Sequence, residues 1–316
     1  MFDEVIFHIG APKTGTTTIQ DFLALNRDSL FSHGISIPGC SKNHQFLVSK
    51  FSNAPEELDF NRSAGRTRVE SVVWHDSKLT DFLSKTGNSK KLLFSSEHLV
   101  LLKEDEINAL LSLFKRKAKK LTVLVYVRNP FDWASSGVQE AVKNGEQTLE
   151  QAIETPNFMI FHNLIDRWVS VFGDKRVKVR KLECPDLLSD FCKTLKLPDI
   201  AYLRPPADLN TSLSQEAIFI ANELSKVLPK FSEGRAPQDM ISKLLKKIKG
   251  NKFYFLIPEN RQEYQWIKND LVTLNLKYKT EYFEKRINHS AIDYDKDFIQ
   301  SLALLVNETA NQLYSQ

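Results

Sequence analysis

The stretch VIFHIGAPKTGTTTIQDFL, from Val5 to Leu23, decides how the rest of the chain is read. The run EVIFHI at 4–9 is short, β-rich and ends at a Gly-Ala-Pro turn. Beyond Gly15, the apolar residues Ile19, Phe22, Leu23 and Leu30 fall at broadly helical spacing. Strand, glycine loop and helix in that order make a cradle for phosphate. The first N–H groups of a helix have no intrahelical partner, and they favour an anion. Gly10 and Gly15 have the G-x-x-x-x-G spacing of a nucleotide loop. Yet Thr16 stands where an ATP or GTP loop carries its lysine, and the only lysine, Lys13, comes three residues early. Thr14, Thr16 and Thr17 add hydroxyl donors, and Gly15 permits close approach of backbone to phosphate. The competing reading is a tight turn with no ligand, which a lysine and three hydroxyls on one turn argue against.

Outward from that loop, further β-rich runs appear at 90–97 (KKLLFSSE), 119–127 (KKLTVLVYV) and 176–183 (RVKVRKLE). Helical patterns lie between them at 103–120 and 161–172. Strands alternating with helices predict an α/β fold: a central, mostly parallel sheet flanked by helices in three layers, with a helical C-terminal half. That half is interrupted by a Pro-rich stretch at 202–210, after which Ser212 and Gln215 match a capping box. Residues 40–75 have no clear period and are expected to form an excursion over one face of the sheet. The expectation is one domain over 1–316, with 40–75 and 225–260 as acceptor-side or surface excursions.

Composition narrows the class. Of 316 residues, 42% are hydrophobic and 26% charged, as in an ordinary globular protein. The net charge of +4 is too mild to point to nucleic acid but suits an anionic ligand. Cys40, Cys184 and Cys192 form no C-x-x-C pair, so reduced thiols and a cytoplasmic location are expected. No apolar run approaches a membrane span, and the acidic opening MFDEVIFHIG is unlike a secretory leader.

In open parallel sheets, ligands bind beyond the carboxyl ends of the strands. If the strands are parallel and adjacent, Gly10–Thr17, Glu97 and Arg128 meet on one rim, giving an anion loop, a carboxylate and an arginine. Here the residues resemble a family. PKTGTT at 12–17 is similar to the 5′-phosphosulfate loop of sulfotransferases that use 3′-phosphoadenosine 5′-phosphosulfate (PAPS). YVRNPFDWASSGVQEAVKNG at 126–145 resembles their second signature, in which an arginine and a serine eight residues on grip the 3′-phosphate; Arg128 and Ser136 stand at that spacing. The weaker resemblance covers most of the chain and is closest to bacterial carbohydrate-type members. Trp133 departs from it, at a place often basic or polar in relatives.

The resemblance gives the early lysine a role. Lys13 would neutralise the oxygen linking phosphate to sulfate as the sulfuryl group leaves, with PAPS as co-substrate and no metal. The acceptor, a small molecule or oligosaccharide with a hydroxyl or amine, needs a general base. Glu97 is the first candidate, because SSEHL resembles the strand end that carries a catalytic glutamate in carbohydrate sulfotransferases. As alternatives, Glu97 would be a helix-start acid or an ion-pair partner of Arg128. His98 is a second candidate base, although it and Glu97 cannot face one way on extended backbone. His44, in SKNHQFL, is a third.

His8 on the first strand reads as a satisfied buried histidine. The remaining histidines show no metal-ligand spacing, and G-x-S-x-G is absent. The basic stretches 115–120 and 242–252 read as a solvated helix end and a solvated face. Two other readings stay open: a P-loop small-molecule kinase, and a nucleotide-binding pseudoenzyme.

Overall fold

Short runs of β-branched and aromatic residues, each closed by a turn, generate the strands. The computed structural model describes residues 1–39, 41–198, 203–205, 212–255, 257–284 and 295–315. Among them five strands form one sheet: β1 (Phe2–Ile9), β2 (Ile35–Ser36), β3 (Lys91–Ser96), β4 (Ala118–Val127) and β5 (Val177–Lys181). Their spatial order is β2-β3-β1-β4-β5, and every pairing is parallel. The four β-rich runs of the sequence are β1, β3, β4 and β5. Two-residue β2 carries too little pattern to be seen.

The chain divides into two compact units, Met1–Arg128 with Phe161–Leu209, and Asn129–Ile160 with Asn210–Gln316. The first holds the whole sheet, buried on both faces as a parallel sheet requires. On one face Ile6, Leu93, Leu124 and Tyr126 pack against Ile19, Phe22 and Leu23 of the helix Thr16–Leu25, and against Phe191 and Leu195 of the helix Leu187–Leu195. On the other face the core is aromatic. Phe7 contacts Phe94, Phe114 and Phe172, and Phe94 contacts Phe46 and Phe82, with ring centroids 5.1–6.5 Å apart. Alternation along β1 places Ile6 and Phe7 on opposite faces, which yields helix, sheet and helix in three layers.

The second unit is helical. The helices Pro130–Lys143, Leu149–Glu154, Gln215–Val227, Gln238–Leu245 and Lys296–Tyr314 share a core that includes Val138, Val142, Ala217, Ile218, Leu224, Ile241 and Ala303. The helix Pro130–Lys143 starts cleanly. Asn129 Oδ1 accepts from the Phe131 N–H at 3.0 Å, and Pro130 sits at the first helical position, where its missing N–H is harmless.

Several boundaries differ from the sequence expectation. The helix expected over 103–120 ends at Lys115, because Ala118 already pairs with Phe2 in the sheet. The cap of the helix Gln215–Val227 is Ser214, whose hydroxyl accepts from the Ala217 N–H at 3.1 Å; Ser212 is exposed outside it. The 40–75 region folds into the helix Gln45–Phe51, the turns Pro55–Glu57 and Asp59–Arg62, and the start of the helix Arg68–Ser84. The lysines of 242–252 are exposed. Cys40, His289 and most of the Pro-rich stretch at 202–210 lie outside the described residues. Among the described residues no helix is long and apolar enough to cross a membrane.

Candidate active site

Three neighbouring strands end on the same rim. β1 lies between β3 and β4, and Ile9 is level with Ser96. Gly10, Glu97 and Arg128 are the first residues beyond β1, β3 and β4. The sheet order places this group where the chain departs to either side of β1, the kind of switch point where α/β sheets bind ligands.

The loop is held by its own side chains. Thr14 Oγ1 donates to the Ala11 carbonyl at 2.6 Å, and Thr16 Oγ1 donates to the same oxygen at 3.1 Å. Both threonines are buried and Thr17 is exposed, so Thr14 and Thr16 brace the loop while Thr17 faces outward. Both glycines are required sterically. A Cβ on Gly10 would come within 2.4 Å of Thr16 Oγ1. Gly15, at φ 79°, caps the helix in the left-handed region, and its Cβ would meet Leu187 at 2.5 Å. Lys13 is also left-handed, at φ 63°, a conformation that costs a non-glycine residue about 1–2 kcal/mol. Such strain persists where the surroundings over-determine it, often at ligand sites. Arg128, half-buried at the end of β4, points Nη1 toward the Lys13 carbonyl at 3.5 Å.

Glu97 is half-buried, and among the described residues it makes no hydrogen bond and no ion pair. The ion-pair reading with Arg128 is therefore set aside. A carboxylate held partly out of water normally acquires a partner, so an unpaired one on a ligand rim is notable. Two neighbours share this condition: Ser96 Oγ and His98 Nδ1 are buried polar atoms without a hydrogen-bond partner. The backbone at 97–98 forms a turn into a short 3₁₀ segment, Leu99–Leu101, so the extended geometry that set Glu97 and His98 apart does not apply.

The structure removes His44 from the candidate bases. Its ring is buried, and Nδ1 accepts from the Ser95 N–H at 2.8 Å while its own backbone N–H donates to the Ser95 carbonyl at 3.0 Å. Burial, then the charge of Arg27, pulls its pKa down to about 3 against a bond to the Pro38 backbone. His44 is a neutral latch on the strand end two residues before Glu97. His8 engages the same residue from β1, with Nδ1 2.8 Å from Ser95 Oγ. It is fully buried, its pKa is pulled down to about 3 by burial, and its Nε2 lacks the partner expected for a satisfied histidine. Sequence alone shows His44 in a polar loop; its burial depends on a contact with residue 95 that no local pattern reveals.

Ser136 is half-buried on the helix Pro130–Lys143 in the second unit. Trp133, the departure from the family pattern, is buried in the same helix.

A parallel three-layer α/β fold with a glycine loop between its central strand and the following helix defines a P-loop-like fold. The chain belongs to the sulfotransferase domain family, which it matches over residues 3–185, more than half its length. No curated protein matches it. Among solved structures it is similar to a sulfotransferase from Alicyclobacillus acidocaldarius, at 18% identity and a TM-score of 0.45 over 65% of this chain and 85% of that one. It is also similar to the sulfotransferase domain of the curacin biosynthetic pathway, at 14% identity and a TM-score of 0.39 over 86% of this chain and 97% of that one. The family assignment rests on the domain match.

Proposed function

We propose that the protein transfers a sulfuryl group from PAPS to a hydroxyl or amine, with a carbohydrate as the acceptor, and releases adenosine 3′,5′-bisphosphate. The observation that carries this reading is the arrival of the loop, Glu97 and Arg128 at the ends of three adjacent parallel strands. The loop fits a bound phosphosulfate: its glycines are too tightly packed to carry side chains, and the first helical N–H groups follow directly.

In this reading Lys13 and the loop N–H groups hold the phosphosulfate, with Thr17 as the outward hydroxyl. Thr14, Gly15 and Thr16 set the loop's shape. Arg128 and Ser136 hold the 3′-phosphate, a pairing that rests on their spacing in the sequence. Glu97 accepts the proton of the attacking hydroxyl as its oxygen bonds to sulfur. The bond from sulfur to the bridging oxygen breaks, and Lys13 stabilises the charge that oxygen gains.

Calorimetry with adenosine 3′,5′-bisphosphate and with ATP, each with and without magnesium, tests the donor. The bisphosphate is expected to bind more tightly in both conditions, and magnesium-dependent preference for ATP would revive the kinase reading. Glu97→Gln is expected to cut turnover by about 10²–10⁴-fold with bisphosphate affinity intact. Near-normal turnover in that variant would remove Glu97 as the base.

A further inference from the structure

Residues 49–75 contain a buried polar chain that the proposed transfer leaves unused. Ser49, Asn61 and His75 are buried. His75 Nδ1 lies 3.1 Å from Ser49 Oγ, which accepts from Asn61 Nδ2 at 2.9 Å. Asn61 Nδ2 also donates to the Pro55 carbonyl at 2.7 Å, and Asn61 Oδ1 accepts from Arg66 Nη1 at 3.1 Å. Burying three polar side chains is costly unless they are joined, and here they are joined in a line that ends on one arginine.

Arg66 is then fixed from a second side. Its guanidinium carbon lies 4.2 Å from the centre of the Trp74 ring, and Nη1 also approaches the Phe60 carbonyl at 3.5 Å. Trp74 in turn packs on Phe60 with ring centroids 6.1 Å apart, and Phe60 packs on His98 at 5.7 Å. His98 is the residue after Glu97. All four of these side chains, Phe60, Arg66, Trp74 and His98, are half-buried, so each presents a surface to solvent.

What Arg66 lacks is an anion. Among the described residues it has no carboxylate within ion-pair distance. Several of its five N–H donors therefore have no acceptor in the fold. A guanidinium stacked on an aromatic ring, oriented by a buried amide and left unneutralised is preorganised for a planar oxyanion. The aromatic residues beside it offer an apolar face to a cyclic molecule.

We propose that Arg66, Trp74 and Phe60 form an acceptor subsite next to Glu97, which selects an acceptor with a cyclic body and an anionic group, a carboxylate or a sulfate ester. This rests on the sulfotransferase reading for Glu97, but the binding preference is measurable without turnover. The ring of such an acceptor lies along Phe60 and Trp74, its anion on Arg66 and its nucleophile toward Glu97.

Matched probes that differ by one carboxylate test it. Calorimetry on the full chain compares p-nitrophenyl β-D-glucuronide with p-nitrophenyl β-D-glucoside, and 4-hydroxyphenylacetate with 4-methylphenol. The charged member of at least one pair is expected to bind about tenfold more tightly, and the pair showing this tells a sugar body from an arene. Arg66→Gln is expected to bring that ratio to within about twofold, and Arg66→Lys to keep part of it, since the charge stays while the planar fork is lost. Trp74→Leu is expected to weaken both members of the preferred pair. An unchanged ratio in Arg66→Gln, or no charge preference in either pair, overturns the subsite. Bisphosphate binding is measured in parallel. Its absence in the wild type would defeat the donor assignment, while the probe ratio still decides the role of Arg66.

Discussion

Glu4 and Glu97 are acidic residues of neighbouring segments, one at the amino-terminal end of β1 and the other just beyond the carboxyl end of β3, and they keep different company. Glu4 accepts from Thr122 Oγ1 at 2.5 Å and pairs with Lys120 at 2.7 Å and Lys91 at 3.7 Å. Asp3 beside it pairs with Lys119 at 2.8 Å. At the opposite rim, among the described residues, Glu97 has no partner, and His8 Nε2, Ser96 Oγ and His98 Nδ1 are buried without one. One sheet thus has an end where Glu4 and Asp3 are paired within the fold and an end where Glu97 and three buried polar atoms are not. In the proposed reading, the first set serves stability and the second is available to a ligand.

The sharpest way to break that contrast is at Lys13. Its left-handed backbone favours glycine, so Lys13→Gly is expected to match or exceed wild-type stability by up to about 1 kcal/mol. The same change removes the loop's ammonium and is expected to lower transfer by about 10²–10³-fold. Thermal unfolding and single-turnover rates measured on one preparation decide it, and a loss of stability with unchanged rate would reverse the assignment.

His44 belongs to the rim by position but to the fold by bonding. His44→Leu leaves the Ser95 N–H buried without an acceptor, at a cost of about 1–3 kcal/mol, and His44→Asn restores an acceptor oxygen and part of that stability. The pH dependence follows from the sign of the shift. A folded-state pKa near 3 against an ordinary 6.5 means that the unfolded chain takes up the proton first. The stabilisation is present above pH 6.5 and is lost as pH falls from 6.5 toward 3, by up to ~1.4 kcal/mol per pH unit for each such histidine. Denaturant midpoints of His44→Asn measured across that window are expected to fall less steeply than those of the wild type; parallel slopes would contradict the neutral latch.

The smallest effect is expected at Glu4. Burial pushes its pKa up, but the bonds from Lys120 and Thr122 and the charges of Lys120 and Lys91 outweigh burial and hold it below the ordinary carboxylate value. Its contribution is complete above the unfolded value of about 4.5 and is lost as pH drops through the lower folded one. Glu4→Gln is expected to cost about 1 kcal/mol at neutral pH and nothing in turnover. A drop in turnover at constant stability would blur the division between the two ends.

The sequence was most informative where local pattern and tertiary role coincide. Four of the five strands among the described residues are dense β-rich runs, and the residues that follow β1, β3 and β4 supply the loop, the glutamate and the arginine of the rim. Serines at 212 and 214 both suit a helix cap, and it is the Ser214 hydroxyl that accepts from the Ala217 N–H, a choice a single window does not show. The 40–75 region hid more. Thr67 and Glu70 form a capping box that a T-x-x-E scan would find, and it marks the start of the helix that carries Trp74. The stacking of Arg66 on Trp74 is a side-chain contact along one helix start, and the approach of His44 to Ser95 is long-range in sequence; neither has a local signature.

The contact between Gly10 and Thr16 has a consequence for redesign. The Thr16 side chain occupies the space into which a Gly10 Cβ would project, and its hydroxyl closes the loop on Ala11. Positions 10 and 16 therefore behave as one steric unit. Moving the lysine from 13 to 16, the simplest edit toward an ATP-type loop, would drive a long cation into a site shaped for a threonine and would remove a brace of the loop as well. The shape of this loop is written into its own packing, and placing a lysine at 16 would require a new loop and not an exchange of side chains.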